Sequence, residues 1–304
     1  MSGRTLSVEI AASEDGKRVR AVLQGALGLS AGLVTRLKHR PGSVRINGRE
    51  AKTIDVLHTG DLLEVDVGDA KEGSFRPAGP RPDVLWEDED IIILNKPAGM
   101  AVHGRSDRNE PTVGAVVAAY LGTNAPFHPV NRLDRGTTGV MCAAKTGYMH
   151  DRLRRILHTD AFRREYLAVC EGRPPESEGV IDAPIARAGE EKRFCVSPDG
   201  APSLTRYEVL AAWGGRSLVR LRPETGRTHQ IRVHMAHLGC PLAGDRLYGR
   251  VSRDIGRPAL HSSRLTLLHP LTGELITAAA PIPQDMGNLI PDGAYRAADG
   301  TVQA

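Results

Sequence analysis

Residues 128 to 140, His-Pro-Val-Asn-Arg-Leu-Asp-Arg-Gly-Thr-Thr-Gly-Val, set one carboxylate, Asp134, among arginines and turn-forming residues. A carboxylate is a weak nucleophile in water, but a neighbouring cation keeps it ionised and a fixed loop can aim it. Alone, an Asp before Arg-Gly is more often a turn or cap residue. A second stretch, Glu224-Thr-Gly-Arg-Thr-His-Gln-Ile-Arg-Val-His234, followed by Gly244-Asp-Arg-Leu-Tyr-Gly249, lies further along the chain. Other candidates fall away. His229, His234 and His237 lack the His-Glu-x-x-His spacing and a carboxylate at a recognised distance, so no metal is expected. Gly25, Gly28 and Gly32 have neither the spacing nor the preceding strand of a dinucleotide loop. Lys96, inside Lys-Pro-Ala-Gly, reads as a turn residue lining a cleft rather than a Schiff-base lysine.

In this order and separation the two stretches resemble the RluA-type pseudouridine synthases, whose signatures run close to HRLD-x-x-TSG and GRTHQIR. Further segments extend the resemblance. They are Glu87 to His103 with its Lys-Pro-Ala-Gly turn, Arg164-Glu-Tyr-Leu-Ala168, Thr205-Arg-Tyr-Glu-Val209, and Ala259-Leu-His-Ser-Ser263 with His269-Pro270. Such enzymes detach the base of a uridine in RNA and rejoin it through carbon. The resemblance implies Asp134 as nucleophile, attacking either the sugar carbon or the pyrimidine ring, and Arg227 as the arginine paired with it. It implies Tyr166 stacked on the base and moving the ring proton, and Arg132 filling the gap left by an everted uridine. Without it, Tyr166 reads as a core aromatic and Arg132 equally as a surface ion pair. Asn131 stands where many members have His, Arg164 where Lys is frequent and Thr138 where Ser is frequent. None of the three removes a group the chemistry needs.

The net charge of +4 hides an asymmetry: Lys17 to Lys52 holds nine Lys or Arg and one acid, Glu50. A compact basic segment is what phosphate binding needs, although a charge run can also be a solvated face. Arg18 to Leu27 and Ser30 to His39 read as short helices, with Ser30 as cap. Ser43 to Ile46 reads as a strand before an Asn-Gly turn, and Leu62 to Val67 as an alternating strand. This pattern is similar to the S4 RNA-binding domain, and the match implies Arg36, Lys38, Arg40 and Arg45 as RNA contacts, with Arg18 and Arg49 behind them.

The expected organisation is an S4-like domain over residues 1–70, a Pro- and Gly-rich linker over 71–83, a catalytic domain over 84–290 and a frayed tail over 291–304. Strands are expected over Asp88 to Leu94, Arg164 to Cys170, Thr205 to Ala211, Ser217 to Arg222 and Arg264 to Leu268. Helices are expected over Tyr148 to Leu157, with Arg152, Arg154 and Arg155 toward solvent or RNA, and over Thr228 to Leu238. Strands without regular βαβ alternation give an α+β class with a mainly antiparallel mixed sheet. Four scattered cysteines fit reduced, buried thiols in a cytoplasmic protein, and no apolar run is long enough to span a bilayer. The expected activity is thus a cofactor-free RNA uridine isomerase, with RNA as partner and no obligate protein partner. Large-subunit ribosomal RNA ranks first as substrate and transfer RNA second; the alternative from another class is a non-catalytic RNA-binding ribosome assembly factor.

Overall fold

A change of composition near residue 70 separates two sheets with separate cores. The computed structural model describes residues 4–69, 77–104, 111–122, 126–189 and 193–294. The first sheet is antiparallel and holds four strands, β1 (Thr5–Glu9), β2 (Val44–Ile46), β3 (Arg49–Glu50) and β4 (Leu62–Asp66), in the order β1-β4-β2-β3. Helices α1 (Val19–Gln24) and α2 (Ala31–Lys38) bury Val19, Val22, Leu23, Leu33, Val34 and Leu37 against Leu57, Leu63 and Val65. Ser30 caps α2 by accepting from Leu33 N. Asn47 and Gly48 both take positive φ, 52° and 77°, as the tight turn joining β2 and β3 requires.

The larger sheet is built from β5 (Asp83–Glu87), β6 (Ile91–Lys96), β7 (His128–Pro129), β8 (Thr138–Ala144), β9 (Phe162–Glu171), β10 (Glu178–Asp182), β13 (Leu204–Trp213), β14 (Arg216–Pro223), β15 (Leu260–Leu268) and β16 (Leu275–Ala279). Its order is β10-β13-β14-β9-β15-β8-β6-β5, with β16 beside β15 and β7 beside β8, while β11 (Ile185–Ala188) and β12 (Arg193–Val196) form a separate ribbon. Among the described residues every pairing is antiparallel except β15 with β8. Helices α3 (Val113–Tyr120), α4 (Gly147–Ile156), α5 (Gln230–His237) and α6 (Gln284–Gly287) complete the α+β fold. No described helix is long and apolar enough to cross a membrane.

The parallel seam is tight. A Cβ on Gly139 (φ +103°) would lie 2.1 Å from the Ser262 carbonyl oxygen, so only glycine lets β8 approach β15. Beside this seam sit the loop that carries Asp134 into β8 and strand β9 that carries Tyr166.

The expected strand over Asp88 to Leu94 starts too early. Asp88 Oδ1 accepts from Asp90 N at 2.8 Å and Ile91 N at 2.7 Å, which makes residues 88–90 a turn between β5 and β6. The expected linker also yields its last residue, Asp83, to β5; residues 70–76 lie outside the described residues, as do 295–304 of the expected tail. Cys195 is exposed, contrary to the expectation of buried thiols; Cys142, Cys170 and Cys240 are buried.

Helix α4 belongs to both cores. Met149 and Leu153 pack under the large sheet, whereas Tyr148 is buried in the core of the N-terminal unit. The Tyr148 hydroxyl donates to Leu27 O at 3.1 Å and Arg152 Nη2 to the same oxygen at 2.7 Å. Ser30 Oγ donates to Asp151 Oδ2 at 2.8 Å, and Arg4 grips Asp90 with two bonds of 3.0 Å. Arg152 is therefore a joint between the units, not the solvent-facing cation expected; Arg154 and Arg155 are exposed as expected.

Candidate active site

Asp134 lies in the loop between β7 and β8, and that loop is fastened from behind. Lys96 is fully buried and its ammonium donates to the carbonyls of Pro97 at 2.9 Å, Met100 at 2.8 Å and Arg135 at 3.3 Å. Its turn was expected to line the cleft; the side chain instead braces the cleft's wall. Burial, helped by Arg257, lowers the Lys96 pKa to about 8 against the pull of Asp134. Arg257 Nη1 donates to Gly136 O at 3.0 Å, holding the far end of the same loop.

The arginine that reaches Asp134 is Arg232. Its Nη1 donates to Asp134 Oδ2 at 3.2 Å, while Nε and Nη2 clasp Asp245 at 2.7 and 2.8 Å. Asp245 is fully buried, and its Oδ1 also accepts from Leu247 N and Tyr248 N at 3.1 and 3.3 Å. Burial works against the Arg232 charge, but the hydrogen bond and charge of Asp245, followed by Asp134, hold its pKa above the ordinary value. One planar fork thus bridges a fully buried carboxylate and a cleft carboxylate whose side chain is 33% exposed.

Arg227, assigned to this pairing from the motif match, lines the cleft but does not bond to Asp134. It precedes α5 rather than lying on its inner face, it is exposed, and its Nε donates to Pro202 O at 3.2 Å. Arg232, five residues on, lies on the buried side of α5. The Gly244 to Gly249 stretch holds the missing half of the clasp; an Asp in a Gly-bounded turn was the signal available.

His229 was set aside with the metal candidates, yet it sits at the site with φ +57°. Its Nδ1 lies 2.9 Å from the Tyr248 hydroxyl, which already accepts from Phe194 N at 3.0 Å. The opposite ring nitrogen, Nε2, lies 3.8 Å from Asp134 Oδ2. Burial pushes the His229 pKa below the ordinary value, against the pull of Asp134. Tyr248 also stacks under the Arg232 guanidinium, 5.0 Å from its ring centre.

Tyr166 projects from β9 into the same cleft. Burial raises its pKa and outweighs Arg164 and the side-chain hydrogen bonds to Ser262 and Asn131. Asn131, the departure from the usual His, accepts from Cys142 N at 2.8 Å and so pins the loop to β8. Arg132 is exposed on the cleft rim. The cleft encloses about 670 Å³ and is lined by six arginines, 132, 135, 154, 164, 227 and 232; Asp134 is the one acid among the described lining residues. In the N-terminal unit Arg36, Lys38 and Arg45 are exposed, as are Arg18 and Arg49. Arg40 is not a free RNA contact, since its guanidinium pairs with Asp66 and donates to Gly68 O at 2.7 Å.

An arginine-lined cleft around one held carboxylate suits a polyanion by its charge, and comparison with known proteins says which class of protein carries it. Residues 90–237 match the family described as RNA pseudouridylate synthase. The chain is 41% identical over 271 residues to the uncharacterized RNA pseudouridine synthase YjbO of Bacillus subtilis, covering 88% of this chain and 96% of that one. It is 37% identical over 266 residues to the ribosomal large subunit pseudouridine synthase D of Escherichia coli, 81% of each chain. The corresponding D enzyme of Pasteurella multocida is 34% identical over 95% of each chain. Among solved structures, human RNA pseudouridylate synthase domain containing 4 superposes with a TM-score of 0.56 at 26% identity, covering 67% of this chain and 90% of that one. The chain belongs to the RNA pseudouridine synthase family and is an RNA-modifying isomerase.

Proposed function

We propose that this isomerase converts uridine to pseudouridine in large-subunit ribosomal RNA with Asp134 as its nucleophile. The observation that carries the role of Asp134 is its isolation: one carboxylate, clasped by Arg232, in a cleft otherwise lined by cations and neutral groups. The reaction breaks the bond between uracil N1 and the sugar C1′, joins C1′ to C5 and removes the C5 proton. Attack by Asp134 at C1′ or at the ring both begin from this geometry. Tyr166 offers the flat face for an everted base and the hydroxyl for moving the ring proton, and Arg132 stands at the rim where the extruded nucleotide leaves a gap. The choice of ribosomal RNA rests on the two D enzymes, whose names give the large ribosomal subunit.

The N-terminal unit, residues 1–70, is assigned to RNA binding in the manner of an S4 domain, through Arg36, Lys38 and Arg45, with the catalytic unit following the linker. Mapping pseudouridines in RNA from cells with and without the gene tests the substrate. Sites lost from transfer RNA, with large-subunit RNA unchanged, would reassign it. Asp134→Asn tests the nucleophile: product formation should vanish while RNA still binds. A rate within about tenfold of wild type would remove Asp134 from that role.

A further inference from the structure

Arg164 was noted in the sequence only as a departure from a frequent lysine, and the chemistry above gives it no role. It is 8% exposed and lines the cleft, on the same face of β9 as Tyr166 and two residues before it. The intervening Glu165 faces the other way, pairing with Arg222 at 3.0 Å. Arg164 Nη2 donates to two carbonyls, Pro223 O at 3.2 Å and Thr225 O at 3.4 Å. Its Nε is buried and has no hydrogen-bond partner. No described carboxylate pairs with it, whereas the other deeply held cleft arginine, Arg232, is bound by two. Arg132, Arg154 and Arg227 are exposed, and water can solvate them. A guanidinium taken out of water without a counter-charge is unfavourable, so this position calls for an anion from outside the chain.

The surroundings leave room for one. Gly226 is exposed, and a Cβ built on it would stand 3.5 Å from Arg164 Nη1 and 3.7 Å from His158 Cε1. The His158 Nδ1–H donates to Glu224 O at 3.0 Å, which turns the opposite edge of the ring away from that carbonyl. The corner is therefore a small opening walled by a buried cation, an imidazole and a side-chain-free stretch of backbone. Arg227 stands next to it in sequence.

We propose that this corner, formed by Arg164, Gly226 and His158, is a phosphate subsite that holds the RNA backbone at the target nucleotide. Arg164 and Tyr166 lie about 7 Å apart along one strand face, a distance that a nucleotide stacked on Tyr166 spans through its own sugar and phosphate. The assignment rests on the RNA-isomerase reading of the cleft and adds what fixes the nucleotide's position along it. Phosphate neutralises Arg164, which a uracil carbonyl would not, and the two alternatives differ in salt dependence.

The test measures binding of a short hairpin RNA, with uridines confined to its loop, to the full chain over a potassium chloride series. Arg164→Met should weaken binding and lower the slope of log affinity against log salt by about 0.7 to 0.9, the value for one lost phosphate contact. Arg164→Lys should keep the slope and lose part of the affinity, because the point charge remains without the planar fork. Gly226→Ala makes only ordinary contacts with the protein, so its melting temperature should stay at the wild-type value. Its methyl group narrows the opening, and RNA affinity should fall about fivefold or more. If Arg164→Met fails to fold, Arg164→Lys and Gly226→Ala decide the matter between them. An unchanged slope in Arg164→Met, or wild-type affinity in Gly226→Ala, reduces Arg164 to a brace for residues 223–225 and overturns the subsite. Asp134→Asn run in parallel keeps the two readings apart: it should lose turnover with the salt slope intact, whatever the Arg164 variants do.

Discussion

Arg232→Met is the most informative single substitution, because one side chain serves stability and chemistry through different atoms. Its Nε and Nη2 satisfy Asp245, whose side chain is 0% exposed; its Nη1 alone reaches Asp134. Methionine fills similar space but strands Asp245 as a buried charge, and breaking such a pair costs about 3–5 kcal/mol. At about 2–4 °C per kcal/mol for a chain of this size, the melting temperature should fall by about 6–20 °C. Asp134 loses its bond to Oδ2 as well, and misplacing a reacting group by about 1 Å costs about a hundredfold in rate. Arg232→Lys should lie between, since one ammonium cannot bridge two carboxylates in a plane. Arg227→Met, at an exposed position, should shift stability by no more than about 0.5 kcal/mol. The measurements are a thermal melt and single-turnover formation of pseudouridine by nucleoside chromatography, run well below the lowest melting temperature. Should Arg232→Met melt with wild type and react within tenfold of it, the clasp is ornamental. Should Arg227→Met lose as much activity as Arg232→Met, the motif match was the better guide.

Tyr166→Phe keeps the flat ring and removes the hydroxyl, so product formation should fall at least about a hundredfold if the hydroxyl moves the ring proton; near-normal turnover would confine Tyr166 to stacking. Tyr248→Phe removes the hydroxyl that meets His229 Nδ1 but keeps the ring under Arg232, so the pH–rate profile should shift while the melting temperature changes little; an unaltered profile would discount a role for that contact in the reaction. His261, buried between Thr138 and the Ala280 carbonyl, has its pKa lowered by burial to about 4 from an ordinary 6.5. Between those values the unfolded chain holds the proton and the folded chain does not, so stability should drop as pH falls through that window, by about 1.4 kcal/mol per unit at most. Urea titrations of wild type and His261→Gln should diverge there, and parallel curves would count against this account. Replacing Arg36, Lys38 and Arg45 together by Glu should flatten the salt dependence of RNA binding without moving the melting temperature; an unchanged slope would withdraw the RNA-binding role of the N-terminal unit.

Local chemistry was the legible part of this fold. The Ser30 cap and the Asn47-Gly48 turn follow from side chains acting on their own backbone, so sequence places them well. Strand β8 escaped notice because Thr138 to Ala144 is buried on both faces and shows no alternation. Helix α3 escaped for the related reason that it is apolar nearly all round. That Asp134, Tyr166 and Arg132 share one cleft agrees with motif order, because each sits in or beside a quoted signature. The clasp could not be read this way. Choosing Arg232 over Arg227 requires knowing where α5 begins and which side it turns to the cleft, and a helix start is a poorly determined feature of a sequence. Arg40 misled for a similar reason: its charge was visible, but Asp66, twenty-six residues away, was not visibly its partner.

Helix α4 has a consequence for anyone who would recombine this protein with its relatives. Residue 70 looks like a natural place to exchange the front unit for another, since composition changes there and a polar stretch follows. Yet Tyr148 and Arg152, far beyond that junction, complete the front unit's interior and hold its Leu27 carbonyl. A chimera cut at residue 70 would leave the new unit with a mismatched plug and the old helix with a bare aromatic. A transplant would have to carry the matching residues of α4 with it, and the other end of that helix, at Arg154, lies on the cleft. The front unit and the wall of the cleft are thus joined through one helix, as parts of one mechanical piece.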